Sequence, residues 1–135
     1  MPNIQLQIIM PSFIKFNDFI DSAMMPGIEG DFEVLEDHSP FMTKLRPGIL
    51  KVIKNEQPTY FAMHDGFVTV ENNKVLILSE TCEGKHEIDL KRAIEAKQRA
   101  EKRLAELNQS DIDFRRAEIA LKRAISRIDT VKHTN

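Results

Sequence analysis

Residues 26–48, PGIEGDFEVLEDHSPFMTKLRPG, set Pro26, Gly27, Gly30, Pro40, Pro47 and Gly48 around two short apolar runs. Proline holds φ near about −65° and donates no backbone hydrogen bond, and glycine enters the left-handed region freely, so the backbone is bent repeatedly at set points. A stretch cornered this densely carries no helix, and the segments flanking it read as strands.

Residues 3–10 alternate Ile4, Leu6, Ile8 and Met10 with polar Gln5 and Gln7, the period-two pattern of a half-buried strand, and Pro11 stops it. Phe13, Ile14 and Phe16 form a second short run; Phe19-Ile20 and Ala23-Met24-Met25 form a third, closed by Pro26. Beyond the central stretch come apolar runs at 49–53, 59–64, 66–70 and 75–79, separated by Asn55-Glu56-Gln57-Pro58, Asp65-Gly66 and Asn72-Asn73. Asp-Gly and Asn-Asn adopt positive φ at low cost, as tight turns or bulges in hairpins require. Short strands with turn signals at this spacing predict an antiparallel β-sandwich or barrel over residues 1–84.

The texture changes after Gly84. From Ile88 to Leu107 there is no Gly, Pro or Asn, and Leu90, Ala93, Ile94, Ala100, Leu104 and Leu107 recur at helical intervals. Asp89 is placed to cap this helix. Asn108-Gln109-Ser110 breaks the pattern, with Ser110 or Asp111 available to cap a second helix whose stripe is Phe114, Ala117, Leu121, Ala124 and Ile128. So short a link predicts an antiparallel two-helix hairpin over residues 85–135, giving an α+β chain. The alanine-rich stripe buries little area, and at about 25 cal/mol per Å2 it holds the hairpin weakly enough for it to detach.

The chain is 135 residues long, with one cysteine, Cys82, and no apolar run near the roughly 20 residues of a membrane-crossing helix. The start, MPNIQLQIIMP, lacks a basic leader segment, which argues for a cytosolic protein. A net charge of −2 conceals an asymmetry: residues 1–84 carry 6 Lys+Arg against 12 Asp+Glu, and residues 85–135 carry 13 against 9. An acidic front and a basic back suggest two segments with different partners.

No phosphate-loop, dinucleotide, zinc-protease or nucleophile-elbow motif occurs. His38, His64, His86 and His133 are scattered, so each reads as a structural or surface histidine and no metal site is expected. A small hydrolase using His64, Asp65 or Cys82 would need these groups to converge on a pocket. In the helices Asp89 and Arg92 lie three apart, Arg99 follows Arg92 by seven, and Arg116, Arg123 and Arg127 are spaced seven and four apart. Arginines on neighbouring faces of two helices can gather around a polyphosphate through bidentate hydrogen bonds. Spacing alone favours a solvated basic face with ion pairs such as Glu95 with Arg99.

Two motifs carry a family resemblance. Pro26-Gly27, Glu29-Gly30-Asp31-Phe32, Leu35, His38-Ser39-Pro40, Thr43, Leu45 and Pro47-Gly48 resemble the loop-and-strand signature of the epsilon subunit of bacterial F-type ATP synthases. Glu33 and Glu36 stand where that family usually has Gly and Pro. Residues 88–93, IDLKRA, resemble its nucleotide-binding motif I/L-D-x-x-R-A, and the arginine-rich run downstream is similar to the ATP-binding versions from bacilli.

The resemblance implies a non-catalytic central-stalk subunit of the rotor, coupling proton translocation to ATP synthesis. Its sandwich would dock on the gamma subunit and the ring of c subunits, with Glu29, Gly30, Asp31 and His38 facing the c ring. Its hairpin would inhibit ATP hydrolysis, setting Arg115, Arg116, Lys122 and Arg123 against the catalytic head of alpha and beta subunits. Glu83, Ile88, Asp89, Leu90, Arg92, Ala93, Arg99, Arg123 and Arg127 would hold ATP as a regulatory ligand, with no cofactor required. The resemblance places such a protein at the cytoplasmic face of the bacterial plasma membrane, touching the membrane only through the complex. The alternative is a β-sandwich adaptor whose basic hairpin binds nucleic acid or an acidic protein, a reading weakened by interleaved glutamates and missing stacking aromatics.

Overall fold

A computed structural model describes residues 2–106 and 110–133. Eight strands come first: β1 (Ile4–Ile9), β2 (Ile14–Ile20), β3 (Ser22–Gly27), β4 (Gly30–Val34), β5 (Phe41–Leu45), β6 (Gly48–Lys54), β7 (Gln57–Glu71) and β8 (Lys74–Gly84). A 3-10 turn at Lys85–Glu87 leads to helices α1 (Leu90–Leu104) and α2 (Asp111–His133).

The strands form one sheet in the order β2-β1-β8-β7-β5-β3-β4, with β6 bridging β3 and β7, wrapped into a sandwich. Every pairing is antiparallel except β1 with β8, which run parallel in register from Gln5↔Lys74 to Ile9↔Leu78. Sequence alternation is blind to this, because parallel and antiparallel neighbours bury the same face. The alternation itself is realised: Ile4, Leu6 and Ile8 are fully buried, and they meet Ile20, Met25, Leu50, Met63 and Ile77 in the core.

Where two strands were expected across Asp65-Gly66, the structure has one. The first half of β7 pairs with β6 down to Gly48↔Met63, the second half with β5 from Leu45↔Gly66, and β8 accompanies both halves. Asp65, at φ 47°, bends the strand without ending it: it is skipped in the pairing, and β8 holds the same register on both sides, from His64↔Thr81 to Gly66↔Ser79. Asn72 and Asn73 do form a two-residue hairpin turn with positive φ at both positions, and Asn55-Glu56 forms another.

Among the described residues, the core contains no helical one. The hairpin lies outside it, α1 against α2 through Ala93, Ala100, Ala117 and Ala124, each 2–3% exposed, and α2 against β6 and β7. Asp89 caps α1 by accepting the Arg92 amide at 3.1 Å, and the Ser110 hydroxyl accepts the Asp113 amide at 3.2 Å at the head of α2. The apolar stripe is thinner still than expected. Leu90 and Ile94 of α1 are 37% and 41% exposed, and Phe114 of α2 is exposed as well. Leu107, Asn108 and Gln109 lie outside the described residues.

Candidate functional site

The head of α1 is built to face β8. After the 3-10 turn, Ile88 is extended and Asp89 holds its carboxylate on the helix's first turn, so Arg92, Ala93, Ala96 and Arg99 fall along one face. Together with Glu83, Glu87, Ile88, Asp89 and Arg127 these residues line a cleft of about 360 Å3 between the end of β8 and the two helices.

The charges of the cleft are unevenly compensated. Arg127 of α2 donates from Nε to Glu83 at 2.7 Å, a half-buried bridge that ties the helix to β8. Glu87 is held by Lys15 and by the Gly84 amide, and the Lys15 hydrogen bond above all keeps its carboxyl below the ordinary range. Asp89 is occupied with its cap. No salt bridge involves Arg92 or Arg99 among the described residues, and the Glu95–Arg99 pair allowed by spacing does not form. Two guanidinium groups thus remain for an anion, in the planar geometry that suits phosphate oxygens.

Of the nine residues expected around a nucleotide, Leu90 and Arg123 do not line the cleft. Leu90 is exposed at the first position of α1. Arg123 sits one turn before Arg127, about 6 Å along the helix axis, and its Nη2 is captured by Asp65 at 2.5 Å. The bend of β7 brings that carboxylate to α2.

Beside this pair lies a contact that sequence reasoning missed. His64, 3% exposed, meets the Ser126 hydroxyl through Nε2 at 2.9 Å. Burial first, then Arg127 and Arg123, push its pKa down from 6.5 to about 4. The available signal was the small polar pair Ser126 and Thr130, four apart on the face of α2 that lies opposite its alanine stripe, both buried in the structure. Cys82 packs in the core, where burial pushes its thiol up to about 12. His64 and Asp65 take partners on α2 instead, so the three groups of the hydrolase alternative do not share a pocket.

The residues expected at the c ring divide into two places. Glu29 lies in the β3–β4 turn, and Gly30 and Asp31 open β4, with Gly30 at φ 132°, a conformation open to glycine. Asp31 is engaged by Arg46 at 2.5 Å, and Arg46 also donates to the Gly27 carbonyl at 2.6 Å. His38 lies beyond the other end of β4, its Nδ1 2.6 Å from the Ser39 carbonyl and its ring against Phe41. Arg115, Arg116 and Lys122 are exposed on α2, whereas Arg123 is held by Asp65. A wide groove of about 760 Å3 on the sandwich is flanked by exposed Ile28, Phe67 and Leu78.

Residues 3–85 match the family described as ATP synthase, Delta/Epsilon chain, beta-sandwich domain, and residues 86–132 match ATP synthase, Delta/Epsilon chain, long alpha-helix domain. The ATP synthase epsilon chain of Desulforamulus reducens is 40% identical over 124 residues, covering 92% of this chain and 93% of that one. That of Halalkalibacterium halodurans is 36% identical over 129 residues, covering 96% and 97%. The fold is that of a chain in the Euglena gracilis mitochondrial ATP synthase OSCP/F1/c-ring assembly, with a TM-score of 0.85 at 20% identity over 98% of this chain and 83% of that one. With both family models spanning its length and close relatives aligned nearly end to end, the chain belongs to the epsilon-chain family of ATP synthase, a family of non-catalytic subunits.

Proposed function

We propose that this subunit turns with the central stalk of a bacterial F-type ATP synthase, coupling proton translocation to ATP synthesis, and that its hairpin senses ATP and restrains hydrolysis. The single observation carrying the sensor role is the cleft in which Glu83, Ile88, Asp89, Arg92, Ala93, Arg99 and Arg127 come together with two guanidinium groups uncompensated. Nucleotide phosphates there would bridge α1 to the Glu83–Arg127 junction. ATP would then favour the docked hairpin by its higher affinity for that state. Released, α2 would present Arg115, Arg116 and Lys122 to acidic segments of the catalytic alpha and beta subunits.

In this reading the apolar groove around Ile28, Phe67 and Leu78 receives the gamma subunit, and Glu29, Gly30 and Asp31 at the β3–β4 junction, with His38, face the polar loops of the c ring. The protein would sit peripherally at the cytoplasmic face of the plasma membrane; no helix among the described residues is long and apolar enough to cross a membrane.

Calorimetric titration of the isolated protein with ATP tests the sensor. Saturable binding at or below millimolar ATP is expected, weakened roughly tenfold or more in Arg92→Ala and in Arg99→Ala, since a hydrogen bond to a charged group contributes about 1.5–3 kcal/mol. No heat at millimolar ATP removes the sensor and leaves the stalk role standing.

A further inference from the structure

His64 is the buried histidine among the described residues, and its partner belongs to the element that the proposed function sets in motion. The Ser126 hydroxyl donates its own proton to the Arg123 carbonyl at 2.8 Å, so toward His64 it acts as acceptor and the ring carries its hydrogen on Nε2. The neutral imidazole therefore closes a chain from β7 through Ser126 to the backbone of α2. Ser126 in turn offers its carbonyl to Thr130 at 2.7 Å, so the contact lies in the middle of the docked face of the helix.

We propose that the His64–Ser126 hydrogen bond is a proton-sensitive latch: α2 stays docked on the sandwich while the His64 ring is neutral, and mild acidification releases it. The inference rests on the proposed mobility of the hairpin and not on nucleotide binding.

The charges around the ring favour this reading. From α2, Arg123 and Arg127 both face it, and a second ring proton would set a third cation beside them. From its own strand Asp65 is the one attractive charge, and Arg123 already engages it. On β8, Glu83 is engaged by Arg127. At the β5–β6 corner, Arg46 is held by Asp31 and the Gly27 carbonyl.

The direction follows from linkage. Docked, the ring titrates at about 4; undocked and wetted, it returns to its ordinary 6.5. The docked form binds fewer protons, so docking is at full strength above about pH 6.5 and weakens as pH falls toward about 4, by at most roughly 300-fold in its equilibrium constant. An epsilon chain with this latch would extend its hairpin as its compartment acidifies.

Amide NMR spectra of the full chain from pH 8 to 4.5 test the latch, with Thr130→Asp supplying the undocked reference by placing a charge at a fully buried position on the face of α2 that carries Ser126. In the wild-type chain the α2 resonances should move toward that reference below about pH 6.5 while the β1, β7 and β8 resonances hold. His64→Gln keeps an amide donor for Ser126 but has nothing to titrate, so it should remain docked across the same range. Release of both chains at one pH would assign the transition to groups other than His64 and overturn the latch. A wild-type chain that never approaches the reference would overturn it too, through an immobile hairpin, with ATP binding still open to its own titration.

Discussion

Gly66 shows how one residue can be read correctly and placed wrongly. Asp-Gly signals a turn because both residues accept unusual backbone angles at low cost, and the sequence offers no means of telling a turn from a bend within a continuing strand. The structure uses the pair for the bend. A Cβ on Gly66 would stand 2.4 Å from the Leu78 carbonyl oxygen, so the close approach of β8 demands glycine. Gly66→Ala should destabilise the protein by about 1–3 kcal/mol, the range for an overpacked interior site, measured as a lower urea midpoint. The residues of the α1–β8 cleft were legible at the same scale only in part. Arg92, Arg99 and Arg127 reach the cleft that their spacing allowed, but Arg123 does not, because Asp65 is 58 positions away in sequence and only folding brings it to α2.

At the scale of elements, the helices were readable from composition and their caps from residue type. Asp89 and Ser110 both cap as expected, because a short side-chain acceptor at a helix start satisfies amides that nothing else can reach. Asp89→Ala should cost about 1 kcal/mol of hairpin stability and, because Asp89 also lines the cleft, weaken the ATP binding proposed for it; far-UV circular dichroism against temperature and the ATP titration would register the two losses separately. What periodicity overestimated was the burial. Ile94 and Leu90 fit the apolar stripe by spacing yet face water, because two helices in contact through alanines meet along a seam too narrow to cover the flanking positions. Ser126 and Thr130 reverse the error: they are polar in sequence and buried in fact, since α2 packs its other flank on β6 and β7.

Over the whole molecule, a closed apolar core in the sandwich carries a hairpin that shares none of it. Alanine contacts, the Asp65–Arg123 and Glu83–Arg127 bridges and the His64–Ser126 bond hold the hairpin in place, and bridges as exposed as these contribute little each. Hydrogen exchange should therefore separate the two parts. Amides of α1 and α2 should exchange at least tenfold faster than those of β7 and β8 once intrinsic rates are divided out, and equal protection would mean one cooperative unit. Alternation, turn residues, helix composition and the two family motifs were all local properties, so the amino-acid order alone carried the α+β architecture and the epsilon resemblance. The parallel β1–β8 pair, the unbroken β7 and the diversion of Arg123 to Asp65 depend on residues far apart in the chain. Only the folded structure decides them, because pairing partners and counter-ions are chosen by distance in space, and separation along the chain leaves that distance open.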